Sequence, residues 1–466
     1  MGSVGGDRVR APCGDPGSLS PVNGPVVKVG VLGCGTVGSS LINLVARQGD
    51  FIESRTGLRL EIARVAVRDL AKHREVGLAP SVFTDEPAAV VADPDVDVIV
   101  EVMGGVVPAQ DLVLSAIAAG KPVVTANKEL LAAAGPEVFA AAEHAKVDLL
   151  FEAAVAGGIP FVRPLRESLM GEPVYRVLGI MNGTTNYILT RMGEAGADYD
   201  EALAEAQELG FAEADPTADV DGLDAGAKIA IVASLAFGAR VRATDVDCEG
   251  IRGITADDIA FAARHGFVVK LLSVAERFSG PEGNRIVARV HPAFVPDTHP
   301  LASVRESFNA IFVQGKAVGD LMFYGRGAGG GPTASALLGD LIDAASNRQR
   351  NNHASLGSFT DVPLRPVDEL TSAFYVSIET ADRPGVLATV AGAFSDHGVS
   401  IASMEQEAPT TDPTAPPVRG RARLEFVTHL ARERDLTQTL QELSDLEVVL
   451  NVGSVIRVLG DEGGFR

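Results

Sequence analysis

A lysine and several carboxylates lie close together in the middle of the chain. Asp224 and Lys228 are four positions apart, so on a helix they would share one face. Oxidising an alcohol by hydride transfer requires removal of the hydroxyl proton, and a positioned lysine can accept it. Glu213 and Asp219 precede the pair and supply negative charge that suits a substrate ammonium group. A solvated ion pair explains the same spacing, so the residues alone leave both interpretations open.

A glycine-rich turn lies near the start of the chain. Gly33, Gly35 and Gly38 form a G-x-G-x-x-G pattern directly after a β-branched apolar run. In dinucleotide-binding folds these glycines allow a tight turn, close approach of the backbone to a pyrophosphate, and helix–strand packing. Thr36 and Val37 would open the following helix, whose free N–H groups favour an anion. A purely structural strand-to-helix turn is the alternative.

Two further basic residues follow predicted strands. At the end of the second strand, Asp or Glu usually binds the ribose of NAD, whereas Arg accommodates the 2′-phosphate of NADP. Arg68 comes first here and Asp69 follows it, so the sequence favours NADP(H) over NAD(H) without excluding NAD(H). A solvated arginine is the alternative. Lys128 follows the fourth strand, where open α/β sheets bind ligands, so we expect it to contact cofactor or substrate. A solvated lysine is the alternative.

Composition limits the classes of protein to which the chain can belong. Its 466 residues carry a formal net charge of −21, which argues against a nucleic-acid partner and an anionic membrane surface. Three widely spaced cysteines, Cys13, Cys34 and Cys248, indicate a reducing compartment without a disulfide framework. We find no signal-peptide pattern and no apolar run long enough to span a membrane. These features together predict a cytoplasmic protein.

The hydrophobic pattern predicts an α/β protein with three folded domains. Residues 25–151 alternate strands with helices, as in a Rossmann-type dinucleotide-binding domain with a parallel sheet. The pattern of residues 152–325 predicts an α+β catalytic and dimerisation domain. A helix predicted at 326–345 completes the first domain. A tail at 1–24 and a linker at 346–370 are rich in polar residues, Gly or Pro. Residues 371–460 have the βαββαβ order of a ferredoxin-like fold.

Individual elements follow from the same pattern. Strands are predicted at residues 26–32, 60–67, 96–102, 121–125, 147–151, 285–290, 310–318, 374–380, 399–406, 421–428 and 447–458. Helices are predicted after the glycine turn and at residues 112–119, 200–209, 224–237, 333–345, 385–396 and 436–443.

The motifs together resemble one enzyme family. The stretches GCGTVG, TANK, NGTTNYIL, GFAEADP, DGLDAGAK and YGRGAGGGPTAS, in this order, are similar to monofunctional homoserine dehydrogenases. The resemblance implies NAD(P)-dependent interconversion of L-homoserine and L-aspartate 4-semialdehyde, in the biosynthesis of threonine, isoleucine and methionine. It also implies that Lys228 is the catalytic lysine and Asp224 its acidic partner.

The resemblance assigns further residues to ligands. It implies that Glu213, Asp219 and Lys128 bind the substrate, and that Lys128 and Gly327 contact the cofactor. Residues 151–159 resemble the family's monovalent-cation loop, in which Glu152 and the backbone oxygens of Val155, Gly157 and Ile159 would hold Na⁺ or another monovalent cation. Oxygen ligands suit a hard cation. The alternative for Glu152 is a hinge residue that is hydrogen-bonded to the backbone.

The C-terminal unit resembles an ACT domain, a module that binds amino acids. Asp382, Gly385, Val386 and Leu387 lie where its first strand meets its first helix, and Gly385 would let a ligand approach the backbone. The resemblance implies an amino-acid effector, L-threonine first, and a homodimer or homotetramer. A dimerisation module without a ligand is the alternative.

Two rival functions remain. An acyl-forming semialdehyde dehydrogenase needs an activated cysteine, but Cys248 lies between two acidic residues, a setting that raises a thiol pKa. A non-catalytic sensor of nucleotides and amino acids would leave the Asp224–Lys228 pair without a role. A turnover assay would separate this sensor from an enzyme.

Overall fold

The computed structural model describes residues 24–281, 283–407 and 420–460. The tail predicted at residues 1–24 therefore lies, except for Gly24, outside the described residues. Within the described ranges, no helix is long and apolar enough to cross a membrane.

The N-terminal part is a six-stranded parallel sheet, as the alternating pattern predicted. Across the sheet the strands run in the order β3-β2-β1-β4-β5-β6. The order reverses between β1 and β4, which is where such sheets bind ligands. The strands are β1 (Val26–Leu32), β2 (Arg59–Ala66), β3 (Phe83–Thr84), β4 (Val98–Glu101), β5 (Val123–Thr125) and β6 (Leu149–Leu150). The helices are α1 (Thr36–Thr56), α2 (Pro87–Ala92), α3 (Ala109–Ala118) and α4 (Lys128–Ala145).

The middle of the chain builds an antiparallel sheet covered by helices. Its strands are β7 (Val174–Ile180), β8 (Asp247–Cys248), β9 (Phe267–Gly280), β10 (Gly283–Pro296), β11 (Phe308–Gly315) and β12 (Gly319–Arg326). Its helices are α5 (Gly183–Ala195), α6 (Tyr199–Glu208), α7 (Thr217–Val220), α8 (Leu223–Phe237) and α9 (Ala256–Arg264). The long strands run in the order β12-β11-β7-β9-β10.

The chain then returns to the first sheet through α10 (Gly330–Gln349). Leu337, Leu341 and Ala344 of α10 are buried in the same apolar core as Val29 of β1 and Leu41 of α1. The helix begins three residues before the predicted start at 333 and runs into the predicted linker. Polar contacts hold this last turn on the first domain, since Asn347 donates to Asp148 at 3.0 Å and Arg348 pairs with Asp97 at 3.0 Å.

The C-terminal part has the predicted βαββαβ order, with one additional two-residue strand. Its elements are β13 (Thr371–Ala381), α11 (Val386–Asp396), β14 (Ile401–Glu407), β15 (Arg421–Thr428), β16 (Ala431–Arg432), α12 (Glu433–Asp445) and β17 (Val449–Val458). The strand order is β17-β13-β15-β14. β17 also pairs in parallel with β10, through Ala293 and Phe294, so the catalytic and C-terminal strands form one sheet.

Candidate active site

The first two turns of α8 carry the carboxylate and the lysine selected from the sequence. Asp224 and Lys228 share one helix face, and the Lys228 Nζ lies 2.6 Å from the Asp224 Oδ2. Both residues are at most 9% exposed, so the pair is not the solvated surface pair of the alternative interpretation. Lys228 also donates to the backbone oxygen of Met181 at 2.7 Å.

A second lysine reaches the same carboxylate from the dinucleotide-binding domain. Lys128 begins α4, directly beyond β5, and its Nζ lies 2.5 Å from the Asp224 Oδ1. Burial favours the neutral form of Asp224, but the charges of Lys228 and Lys128 outweigh it and hold its pKa well below the usual range. Asp224 is therefore a carboxylate with one ammonium group on each oxygen.

Asn182 joins a second carboxylate to this cluster. Its Nδ2 donates to the Asp219 Oδ1 at 2.6 Å and to the Asp224 Oδ2 at 2.9 Å, and its Oδ1 caps α5. Burial raises the pKa of Asp219, opposed by the hydrogen bond from Asn182. Asn182 is the first residue of the NGTTNYIL motif, and its spacing from Asp219 and Asp224 does not indicate this contact. No helix was predicted at Gly183–Ala195, so the N-cap position of Asn182, where Asn is a preferred residue, was not apparent from the sequence.

The structure does not bring Glu213 into the cluster. Glu213 is exposed in the loop before α7, where its backbone oxygen accepts a hydrogen bond from Gln207. Among the described residues, no hydrogen bond or ion pair links its carboxylate to Asp224, Lys228 or Lys128.

The glycine turn has the geometry that its three positions require. Gly33 has φ +103°, and a Cβ there would lie 2.7 Å from the backbone oxygen of Val102. A Cβ on Gly38 would meet the Gly33 oxygen at 2.4 Å, whereas none of the described residues lies within 4 Å of one on Gly35. The space beside Gly35 is therefore open to a ligand. Thr36 is the first residue of α1, and its first turn carries no acidic residue.

Arg68 lies two residues beyond β2 and is exposed. The following turn is held by Asp69, whose Oδ1 accepts from the N–H of Ala71 at 2.8 Å and whose backbone oxygen accepts from Arg74. The Asp69 carboxylate thus accepts a hydrogen bond within its own turn. Arg68 follows β2 at the same edge of the sheet as the glycine turn, because β1 and β2 are parallel.

The predicted cation loop lies against the connection between β12 and α10. Glu152 accepts three backbone N–H groups, from Phe161, Val162 and Arg163, at 2.5 to 2.7 Å. Its carboxylate thus makes the hydrogen bonds that the alternative interpretation expected.

The backbone oxygens of this loop remain available. No backbone N–H group of the described residues donates to the oxygens of Val155, Gly157 or Ile159, a donor set that fits a hard cation. Gly157 has φ +53°, and a Cβ there would lie 2.3 Å from the Gly327 oxygen. Gly327 thus contacts this loop, while a Cβ on Gly327 itself would collide with Asn309.

The effector residues selected from the sequence lie at one exposed turn. Asp382 is exposed and donates its N–H to the Gly420 oxygen at 3.0 Å. Gly385 has φ +92° and precedes α11, which begins one residue later than predicted. Val386 packs inward, and Leu387 is 39% exposed.

Comparison with known proteins identifies the family. Residues 33–152 match the model of the homoserine dehydrogenase NAD-binding domain, residues 160–342 match homoserine dehydrogenase, and residues 374–448 match the ACT domain. A homoserine dehydrogenase of Corynebacterium glutamicum is 49% identical, with 95% of this chain and 98% of the relative covered. The chain belongs to the homoserine dehydrogenase family. It is accordingly an oxidoreductase that acts on a CH–OH group, as the motifs predicted.

Solved structures agree with this assignment to the homoserine dehydrogenases. One from Thiobacillus denitrificans superposes with a TM-score of 0.86 at 37% identity, covering 95% of this chain and all of that one. A hyperthermophilic archaeal homoserine dehydrogenase in complex with NADPH gives a TM-score of 0.58 at 27% identity, covering 69% of this chain and 98% of that one. The NAD-binding domain shows that the enzyme binds a nicotinamide dinucleotide, NAD(P).

The rival acyl-forming dehydrogenase finds no support at Cys248. Burial, reinforced by Asp247, raises the pKa of the Cys248 thiol to about 11, as its acidic setting predicted. A thiol that stays protonated is a poor nucleophile.

Proposed function

We propose that Lys228 exchanges the hydroxyl proton when the enzyme interconverts L-homoserine and L-aspartate 4-semialdehyde. A bound nicotinamide dinucleotide supplies the hydride acceptor or donor. In oxidation, Lys228 first releases one proton from its ammonium group to solvent. Its amine then takes the hydroxyl proton while the carbinol C–H leaves as hydride, and a carbonyl forms. In reduction, Lys228 returns that proton. The observation that carries this proposal is the Lys128–Asp224–Lys228 cluster, in which Asp224 and Lys228 are buried and both ion pairs measure 2.5 to 2.6 Å.

The remaining groups of the cluster are assigned to the substrate. Asp219 within the cluster and Glu213 from the exposed loop before α7 bind the substrate ammonium group. Lys128 stands where the dinucleotide-binding and catalytic domains meet and contacts both substrate and cofactor. Asp224 orients the two ammonium groups, because each of its oxygens accepts a charge-assisted hydrogen bond.

The cofactor is proposed to be NADP(H) in preference to NAD(H). The open space at Gly35 and the N-terminus of α1 suit a pyrophosphate. The other proposed contacts to the cofactor come from Gly33, Thr36, Val37, Gly38 and Gly327. Arg68 would bind the 2′-phosphate of NADP(H). The NADPH complex of the archaeal relative supports the same choice.

A monovalent cation, Na⁺ first, is proposed at the loop formed by Glu152, Val155, Gly157 and Ile159. The backbone oxygens of the last three residues would coordinate it. Such an ion would hold the loop against Gly327 and fix the angle between the two domains.

Regulation is proposed to occur at the turn that contains Asp382, Gly385, Val386 and Leu387. L-threonine, an end product of the proposed threonine, isoleucine and methionine pathways, is the first candidate for the effector. A homodimer or homotetramer in the cytoplasm completes the proposal. The reducing compartment indicated by cysteine usage supports the proposed location.

The proposal for Lys228 is tested with Lys228→Ala. General acid–base groups typically contribute ~10²–10⁴-fold, so homoserine-dependent reduction of NADP⁺ should lose that much kcat, while the Kd for NADPH stays nearly constant. Lys270 is equally buried but bonds Asn186 and Val304, so Lys270→Met is the matched control and should keep most of the activity. A Lys228→Ala enzyme with more than about half of the wild-type kcat would exclude the assigned role.

A further inference from the structure

A buried carboxylate outside the cluster connects three loops at the ligand-binding edge of the first sheet. Glu101 is the last residue of β4 and is 0% exposed. Its Oε2 accepts from the hydroxyl of Thr125 at 2.6 Å, and its Oε1 accepts from the Met103 N–H at 2.8 Å. The Oε1 also accepts from the Nδ2 of Asn127 at 3.3 Å. Burying a charged group without such partners is costly, so this set of donors indicates a built arrangement.

One side of this arrangement supports the glycine turn. The segment after Glu101 is fixed by the bond to the Met103 N–H, and it is this segment that packs against Gly33. A Cβ on Gly33 would lie 2.7 Å from the Val102 oxygen and 3.2 Å from the Met103 Cα. The cofactor turn and the end of β4 are therefore in direct contact.

The other side supports Lys128. The Thr125 hydroxyl that donates to Glu101 accepts the N–H of Asn127 at 2.9 Å. Asn127 in turn caps α4 by accepting from the N–H of Leu130, and its Nδ2 donates to the Gly105 oxygen at 2.7 Å. Lys128 is the first residue of this capped helix, and its ammonium group reaches Asp224.

We infer that Glu101 is a positioning residue for Lys128, acting through Thr125 and Asn127. It touches neither Asp224 nor Lys228 but fixes the start of α4, from which Lys128 crosses to the catalytic domain. Burial raises the pKa of Glu101, and the hydrogen bonds from Thr125, Met103 and Asn127 oppose that rise. The inference rests on the role proposed above for Lys128.

The test is a double-mutant cycle in the full-length enzyme. Glu101→Gln and, separately, Thr125→Val are combined with Lys128→Ala, and kcat/KM for homoserine is measured for every variant. Small misplacements of catalytic groups can cost up to ~10²-fold, so each single variant should lose between about tenfold and a hundredfold. In the Lys128→Ala background, the same substitutions should cost less than about twofold, because residues that act through one another are not additive. Thr125→Val preserves side-chain shape, and Thr125→Ser, which keeps the hydroxyl, should restore most of the activity.

Asp148 provides a matched control. It is another buried carboxylate of this domain but lies just before β6, at the opposite edge of the sheet, where it accepts from Ala354 and Asn347. Asp148→Asn should leave kcat/KM within about twofold in both backgrounds. Full additivity of Glu101→Gln and Lys128→Ala would overturn the inference about Glu101. A Lys128→Ala enzyme with wild-type kcat/KM would instead overturn the proposed role of Lys128.

Discussion

Asp224 accepts a hydrogen bond from a lysine on each of its two carboxylate oxygens. An amide side chain is therefore a poor substitute for this carboxylate. In Asp224→Asn, the new NH₂ group must face one of the two ammonium groups, because Asn offers a single acceptor oxygen. We expect kcat/KM for homoserine to fall by about 10²-fold or more, within the range for acid–base machinery. Asp221, three residues earlier, pairs with exposed Arg252 at 2.5 Å, and Asp221→Asn should change kcat/KM little. Comparable losses in both variants would contradict a special role for Asp224.

Arg68 allows the cofactor preference to be tested with a single substitution. Arg68→Ala should raise KM for NADPH much more than KM for NADH, because only NADPH carries the 2′-phosphate. Arg74 lies in the same turn but bonds the Asp69 and Lys72 oxygens, so Arg74→Ala serves as the control. Equal changes for both cofactors in Arg68→Ala would show that Arg68 does not read the phosphate.

Sequence spacing predicted the Asp224–Lys228 pair but not the distant residues that join it. Asp224 and Lys228 were paired from their i,i+4 spacing, and the structure places them 2.6 Å apart. Asn182 is 42 positions from Asp224, and Lys128 belongs to another domain. No local pattern indicates that such distant residues meet, because their approach depends on how β5 and α8 are placed by the whole fold. Glu101 lies within the strand predicted at 96–102, and its sequence context does not indicate that it contacts Thr125 and Asn127.

At the scale of elements, alternation and glycine turns predicted most of the first sheet. β1 has the predicted bounds, and the other predicted strands there are shorter or shifted by one or two residues. β9 was not predicted, because both faces of this strand are buried and it carries Lys270 and Glu276, so its sequence shows no polar–apolar alternation. β10 is longer than the strand predicted at 285–290. α5 contains most of the NGTTNYIL motif but was not predicted as a helix.

A buried ionisable group at the junction between domains predicts a pH-dependent stability. Asp340 of α10 accepts from the Glu152 N–H at 2.8 Å, and burial raises its pKa to about 7 from an ordinary value of 3.8. The folded state thus retains a proton that the unfolded chain has already lost between about pH 4 and 7. The stabilisation is present at low pH and is lost as the pH rises through 7.

Asp340→Asn should remove this dependence. In urea unfolding between pH 5.5 and 8, the wild-type free energy of unfolding should fall by about 2 kcal/mol more than that of the variant, since the fall takes place between pH 5.5 and about 7 and one pKa unit corresponds to about 1.4 kcal/mol. Arg163 pairs with Asp340 at 3.0 Å and with Asp343 at 2.7 Å. Asp343 is more exposed than Asp340, so Asp343→Asn is the comparison variant and should flatten the pH profile less than Asp340→Asn. Parallel pH profiles for wild type and Asp340→Asn would contradict the prediction.

At the scale of the molecule, the C-terminal unit is attached by more than a linker. β17 extends the catalytic sheet at β10, and Tyr375 of β13, which is 0% exposed, packs on Phe261 and Phe294. A chain that ends at residue 370 would expose this apolar face and the edge of β10, and exposed edges promote aggregation. We expect a lower Tm and concentration-dependent association in size-exclusion chromatography. A truncated chain with wild-type Tm and a single discrete size would show that the sheet junction contributes little to stability.

The same junction predicts how an effector signal would reach the active site. Arg457 of β17 bonds Glu433 of α12 at 2.6 Å and the Oε2 of Glu249 at 2.7 Å. Glu249 belongs to a segment whose next residues lie directly against α7. The N–H of Ile251 donates to the Val220 oxygen at 2.8 Å, and a Cβ on Gly250 would lie 2.1 Å from that oxygen. A shift of β17 would therefore press on the start of α8, which carries the catalytic lysine and its carboxylate.

Glu249→Gln should weaken this coupling while leaving kcat without effector within about twofold. Coupling free energies are typically ~1–3 kcal/mol, so losing part of that coupling should raise the half-inhibitory threonine concentration about three- to tenfold. Asp257→Asn breaks another ion pair between the catalytic and C-terminal units, with Arg423 of β15, but one that does not involve the segment against α7, so its threonine response should match wild type. The test is to measure the half-inhibitory threonine concentration for wild type, Glu249→Gln and Asp257→Asn. Equal half-inhibitory concentrations in wild type and Glu249→Gln, or equal losses in both variants, would contradict this route. A wild-type enzyme that is insensitive to threonine would instead remove threonine as the effector.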